Sequence, residues 1–313
     1  MSKEKMKTSI GGQAVIEGVM MRGPEKTAMA VRKPDGEIAL ELWETANASA
    51  WYKKTPFVRG IFNFIDMMKL GYQCLMKSAE LSGSDMLEEE PSKFEKKLMD
   101  LFGDKLMNVI TMIAMVLGVG IAVVLFMALP TALSKGVNLL AGGAVPNMGL
   151  SFIEGGLKIV IFVAYLALVR RMEEMKRMFS YHGAEHKTIA CYEAKEELTV
   201  ENVRGFTRFH PRCGTSFLLI VLIISILVFS VVTWQNGLLR VVLKLALLPV
   251  VVGIAYEIIK LAGRYDNAVT RIISAPGLWL QRLTTNEPDD SMIEVAIASI
   301  KPVIPSQEGA DKW

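Results

Sequence analysis

The chain has three histidines, and all of them lie between residues 182 and 210, together with Cys191 and Cys213. His182-Gly183-Ala184-Glu185-His186 has the form H-x-x-E-H. Residues four apart share one face of a helix, so both imidazoles could address one metal ion, with the Glu185 carboxylate beside them. This is the reverse of the H-E-x-x-H zinc pattern, whose glutamate is the general base toward metal-coordinated water. Glu193 lies about three helical turns beyond His182 and could add a ligand if the helix lasts that far. His210-Pro211-Arg212-Cys213 offers a second donor pair. The expected cofactor is therefore a divalent metal, zinc foremost. Its ligands would be His182, His186, Glu193 and His210, with Glu185 catalytic. Cys213 and Glu257 are further candidates. Against this, a five-residue pattern arises by chance. Gly183 also disfavours a helix, and histidines near membranes often serve only structural hydrogen bonds.

The elements that must position these residues are set by four apolar runs. Of the 313 residues, 51% are hydrophobic, and the excess falls in Met107–Leu129, Leu150–Val169, Ser216–Trp234 and Leu238–Ile259. About 20 apolar residues cross a bilayer. The expected fold class is a mainly α membrane protein with four transmembrane helices and a small β-containing N-terminal unit. Glu154 and Lys158 sit four apart in the second run in the order that favours a helix pair. Arg240 and Lys244 lie in the fourth.

Basic residues gather before the first run, between 170 and 215, and after the fourth. The other two connections are almost uncharged. The positive-inside rule then puts both termini and the central loop in the cytosol, with the plasma membrane as location. The first residues lack the apolar stretch of a signal peptide. Three cysteines without disulfide spacing suit a reducing compartment. A net charge of +3 gives no reason to expect nucleic acid as a partner. The expected partners are the lipid bilayer and other membrane proteins.

The chain then divides into a cytosolic α+β unit (1–91), a helix leading into the first two spans (92–169), a His/Cys-containing loop (170–215), the last two spans (216–259) and cytosolic C-terminal helices with a tail (260–313). Residues 11–24 read as one strand bounded by glycines. Pro34-Asp35-Gly36 marks a hairpin turn. Spacing from Val58 to Leu81 is helical, 84–91 reads as a linker, and a helix from Ser92 leads into the first span. Residues 276–283 read as a membrane-interface segment. Asp289 and Asp290 read as the cap of a helix over 292–300, and the tail from Pro302 as disordered. Because an unbroken second span would carry His186 roughly 25 Å from the membrane, a break near Ser180–Gly183 is expected.

Four blocks carry a resemblance: residues 12–22, 181–187, 209–215 and 286–290. Together they resemble the YqhQ-like family, membrane proteins of bacteria and plastids with no assigned substrate, described as metal-dependent enzymes. The resemblance implies that Gln13, Glu17 and Arg22 line a site; Asp289 and Asp290, in the fourth block, are further candidates beside their reading as a helix cap. From the residues alone, Gln13, Glu17 and Arg22 could equally be the solvent face of a strand. Three functions fit the sequence. One is a metal-dependent hydrolase at the cytosolic membrane face. Another is a non-catalytic scaffold or accessory factor for protein insertion or translocation. The third is a small oligomeric transporter, though no internal repeat supports it.

Overall fold

The computed structural model describes residues 6–45, 51–83, 106–230, 237–265, 267–307 and 309–312. The linker and leading helix expected over 84–105 lie outside these residues. The chain is mainly helical, with one antiparallel sheet near its N-terminus. It forms two compact units. One is Met1–Ser84, Tyr165–Ser225 and Ala246–Trp313; the other is Asp85–Ala164 and Ile226–Leu245.

In the first unit, strands β1 (Gly11–Val15), β2 (Gly18–Arg22), β3 (Lys26–Arg32) and β4 (Ile38–Glu44) form a meander in sequence order. The single strand expected over 11–24 is in fact a hairpin, with Val15 opposite Gly18. Glu17 takes the left-handed conformation (φ 49°) in this turn, where Asn or Gly is usual. The cost is offset because Arg177 and Tyr181 both hold its carboxylate. The Pro34-Asp35-Gly36 hairpin forms as expected, with Gly36 at φ 86° and the Glu37 amide donating to Asp35.

The sheet is covered on both faces, which is why β2 and β3 lack a polar alternation. Val19, Met21, Ala28 and Ala30 pack with Tyr181, Ala184, Ile293 and Ala296. Val15, Met20, Met29 and Val31 pack on the other side with Cys74, Met67 and Leu70. The latter three belong to α2 (Val58–Leu81), which follows the one-turn α1 (Trp51–Lys54). Gln13 and Arg22 are therefore not on a solvent face: Gln13 donates to the Gly71 carbonyl, and Arg22 meets the Met67 sulfur.

Among the described residues, three apolar helical stretches are long enough to cross a membrane: Met112–Leu140, Asn147–Val169 and Val242–Arg264. The first consists of α3 (Leu106–Val123), a π-helical segment (Val124–Ala128) and α4 (Leu129–Leu140). It continues through Pro130, where a loop was expected; the π-helical segment just before Pro130 is the kind of local adjustment that accommodates a proline's missing amide inside a helix. The second is α5 (Asn147–Val169). α8 (Gly214–Ser230) is apolar but 17 residues long, and the rest of the expected third span lies outside the described residues. α9 (Gly237–Arg264) holds the last stretch. In the second unit the Glu154–Lys158 pair forms at 3.0 Å, and Lys244 also binds Glu154.

α6 (Glu173–Glu193) carries both histidines of the motif. The break expected at residues 180–183 does not occur. The chain turns earlier, at Arg170–Met172, and again after Glu193, leading to α7 (Val200–Arg204). α10 (Ala268–Thr284) and α11 (Asp290–Ile300) complete the unit. Asp289 caps α11 by accepting from the Met292 amide. The tail is ordered where disorder was expected: Asp311 is buried, accepting from Thr8 and Tyr192.

Candidate metal centre

The central motif sits in the middle of α6, packed between the sheet and α11. Gly183, which argues against a helix on propensity, is there for packing. A Cβ at this position would lie 2.0 Å from the Asn286 carbonyl oxygen. Asn286 is fixed in turn by its amide donating to Phe179 O and by its side chain accepting from Arg170. Gly12 plays the same part on the sheet side. A Cβ there would meet Met20 O at 2.4 Å and the Glu185 carboxyl carbon at 3.2 Å. Glu185 thus packs closely against β1.

His182, His186 and Cys213 place their ligand atoms within 4.8 Å of one another. His182 Nε2 is 3.1 Å from Cys213 Sγ, while its Nδ1 pairs with the Thr284 carbonyl at 2.8 Å. His186 Nδ1 pairs with the Arg208 carbonyl at 2.6 Å. A carbonyl can only accept, so in both rings Nδ1 carries a proton and Nε2 is the atom turned toward the cluster. This is how metal-ligating histidines are usually oriented. Among the described residues, His186 Nε2 and Glu185 Oε2 are both buried without a hydrogen-bond partner.

The electrostatics agree with the geometry. Burial pushes the Cys213 thiol up, but His182 and His186 outweigh it and hold the group well below its ordinary value. Burial alone would lower His182; the neighbouring Cys213 sulfur reverses this and raises it to about 9. Each of the two thus favours the charged form of the other. Burial raises the Glu185 carboxyl against the pull of both histidines.

The remaining sequence candidates have other partners and are not among the three residues whose ligand atoms converge. Glu193 binds Arg212, takes the Thr8 amide at 2.8 Å, and lies 3.5 Å from His210 Nε2. It is thus placed away from the ligand atoms of the cluster, because α6 ends there and turns it toward the Arg212 guanidinium. His210 stands beside His186, ring centres 5.7 Å apart, with Nε2 turned toward Glu193 and Arg212. Glu257 is engaged by Arg59 and the Phe57 amide. Asp290 pairs with Arg204. Glu17 bonds to Arg177 and Tyr181 of α6.

Two supports are not evident from the sequence. Gln281, fully buried on α10, accepts from the His210 amide at 2.8 Å and donates to the His210 carbonyl at 2.7 Å and to Ser216 at 3.1 Å. Glu287 binds both Lys187 and Arg208. A glutamine in an apolar helix carries no local signal, and main-chain carbonyls such as those of Thr284 and Arg208 carry none at all.

The fold and the cluster define a class: a mainly helical protein with apolar helices of membrane-crossing length and a buried His–His–Cys group flanked by a glutamate. The chain matches the family described as protein of unknown function (DUF1385) over residues 55–306, and it belongs to that family. It is 36% identical over 307 residues to the uncharacterized protein YqhQ of Bacillus subtilis (strain 168), covering 97% of this chain and 95% of that one. No solved structure matches. All four sequence blocks that carried the resemblance lie in the first unit. Three border the cluster directly, and the fourth supplies Asn286 and Glu287.

Proposed function

We propose that the chain is a multi-pass membrane protein with four spans and cytosolic termini, and that His182, His186 and Cys213 hold a divalent ion, with zinc the best match. One observation carries this reading. His186 Nε2 and Glu185 Oε2 are buried, unpartnered and close to a low-pKa cysteine. A metal would satisfy the nitrogen and the sulfur at once. Zinc ligands about 2.0–2.3 Å from the ion stand roughly 3.5 Å apart, close to the spacing here. Two histidines and one cysteine leave a fourth position open, as in catalytic rather than closed structural sites.

Bound in such a site, zinc lowers the pKa of a coordinated water to about 7 and so supplies a hydrolytic nucleophile at neutral pH. Glu185 Oε2 is the acceptor for the proton released. Its raised pKa suits a group that takes a proton and returns it. Thr284 and Arg208 keep the imidazoles in the Nδ1–H tautomer. The function this supports is a metal-dependent hydrolase at the cytosolic membrane face.

A thiolate nucleophile paired with His182 is a second reading, favoured by the shifted pair itself. It leaves His186 Nε2 and Glu185 Oε2 without a role, so the metal reading is preferred. The test is metal content after purification without chelator. About one ion per chain is expected in the parent protein and in Glu185→Gln. Loss is expected in His186→Ala and Cys213→Ser. A parent that never holds metal, even after reconstitution with zinc, sinks the proposal in favour of the thiolate.

A further inference from the structure

α2 buries one face against the sheet and leaves the other open. Phe62, Ile65, Met68, Tyr72, Leu75 and Met76 are all exposed, Met68 at 57%. At 100° per residue they fall on one continuous arc, with Lys69 at its rim. The helix also starts at a defined place. Gly60 packs on Tyr256, Asn63 donates to the Tyr256 hydroxyl at 2.8 Å, Arg59 binds Glu257, and Phe57 lies over Gly253. These partners lie near the end of α9, a stretch of membrane-crossing length. α10 leaves that same end and exposes Val269, Ile272 and Trp279.

We propose that α2 lies in the plane of the bilayer surface, with its outer stripe among lipid headgroups and upper acyl chains and the sheet on its other side. A helix with an apolar stripe, charged residues along its rim (Lys69 and Glu80) and an anchor at the foot of a span has the form of an interfacial helix. Trp51 and Tyr72 on α1 and α2, and Trp279 on α10, are residue types enriched at that depth. Lys69 can reach lipid phosphates by extending its stem along the stripe. Two exposed apolar helices radiating from one end of one span point to the bilayer itself rather than to a second protein. The proposal rests on the membrane reading above and gives the sheet, and with it Glu185 and the His–His–Cys group, a fixed seat against lipid.

The test uses the full chain in nanodiscs of phosphatidylcholine and phosphatidylglycerol, with single nitroxide labels at M68C and Y72C. Control labels are V116C in α3, which is exposed on an apolar stretch, and E25C in the β2–β3 turn. The native cysteines are buried and stay unlabelled in the folded protein. Collisions with oxygen (enriched in lipid) and with a nickel chelate (confined to water) are compared. The expected result is a high oxygen-to-nickel ratio for M68C and Y72C, between the values for V116C and E25C. A ratio like that of E25C overturns the proposal. So does shielding from both reagents, which would mean a protein covers the stripe. If V116C also reports water, the membrane reading has failed as well; if V116C reports lipid while M68C reports water, only the placement of α2 has failed.

Discussion

His182 Nε2 stands 3.1 Å from Cys213 Sγ although 31 positions separate them along the chain. Neither residue is placed by the other. Thr284 of α10 aims the imidazole through its opposite nitrogen, and Cys213 sits just before α8, where Thr215 donates its amide to the sulfur. The pair is therefore set by three separate segments, and the proton it shares without metal is the one a divalent ion would displace.

Metal binding should stabilise the first unit. An ion present at about 100 times its dissociation constant contributes about 2.7 kcal/mol. Chelation should lower the melting temperature of the parent protein, and zinc should restore it. Cys213→Ser should melt at the same temperature with or without chelator. Cobalt-substituted parent should show thiolate-to-metal charge-transfer absorption, and this variant should lack it.

Gly183→Ala should be among the most damaging single changes in the chain. The added methyl would lie 2.0 Å from a backbone oxygen that the Asn286 hydrogen bonds hold in place. Overpacking of this kind costs about 1–3 kcal/mol or more. Because α6 would have to move, metal occupancy should fall along with thermal stability. Gly156→Ala is the control, since nothing lies within 4 Å of its added carbon. It should be neutral or slightly stabilising.

Gln281→Leu keeps roughly the same volume but removes three hydrogen bonds that fix His210 and Ser216. The buried His210 amide and carbonyl would each lose a partner, at about 1–3 kcal/mol apiece. Metal affinity should drop about 10–100-fold, the usual effect of removing outer support, while circular dichroism stays near that of the parent. An unchanged affinity in a folded variant would mean that this clamp does not position the cluster.

Glu193→Gln separates ligand from support. Burial pushes the Glu193 carboxyl up, but the His210 hydrogen bond and the Arg212 charge outweigh it, and the group is held below the ordinary carboxylate value. His210 itself is lowered by burial, so a neutral ring stands beside Glu193 and Arg212 is its charged partner. A depressed carboxylate contributes stability above its unfolded pKa of about 4.3, and that contribution is lost as pH falls through the folded value. The variant should be less stable than the parent at pH 7 and should show a flatter acid limb below about pH 4.3. Its metal content at pH 7 should equal that of the parent.

Much of the fold could be read from residue pattern: the Pro34-Asp35-Gly36 hairpin, α2, the apolar runs and the Asp289 cap all follow local rules. Errors came where distant packing overrides a local preference. Gly183 weakens an isolated helix but is required beside Asn286. Glu17 makes a poor turn residue until Arg177 and Tyr181 take its carboxylate. Pro130 suggested a loop, but the helical stretch runs through it. At the site, the spacing of His182, Glu185 and His186 was informative. That Cys213 rather than Glu193 stands beside the two histidines depends on where α6 ends and which guanidinium meets Glu193 there.

The cluster draws on β1 near the start of the chain and on α10 and the Asn286 turn near its end. During synthesis, at about 5–20 residues per second, roughly 14–55 s pass between the emergence of Gly12 and that of Asn286. Every apolar stretch leaves the ribosome within that interval. The first strands must wait, unclosed, while the intervening helices emerge, so the cluster is completed only after Thr284 and Asn286 have been made. A nascent or truncated chain that stops before Thr284 lacks the carbonyl that aims His182 at Cys213.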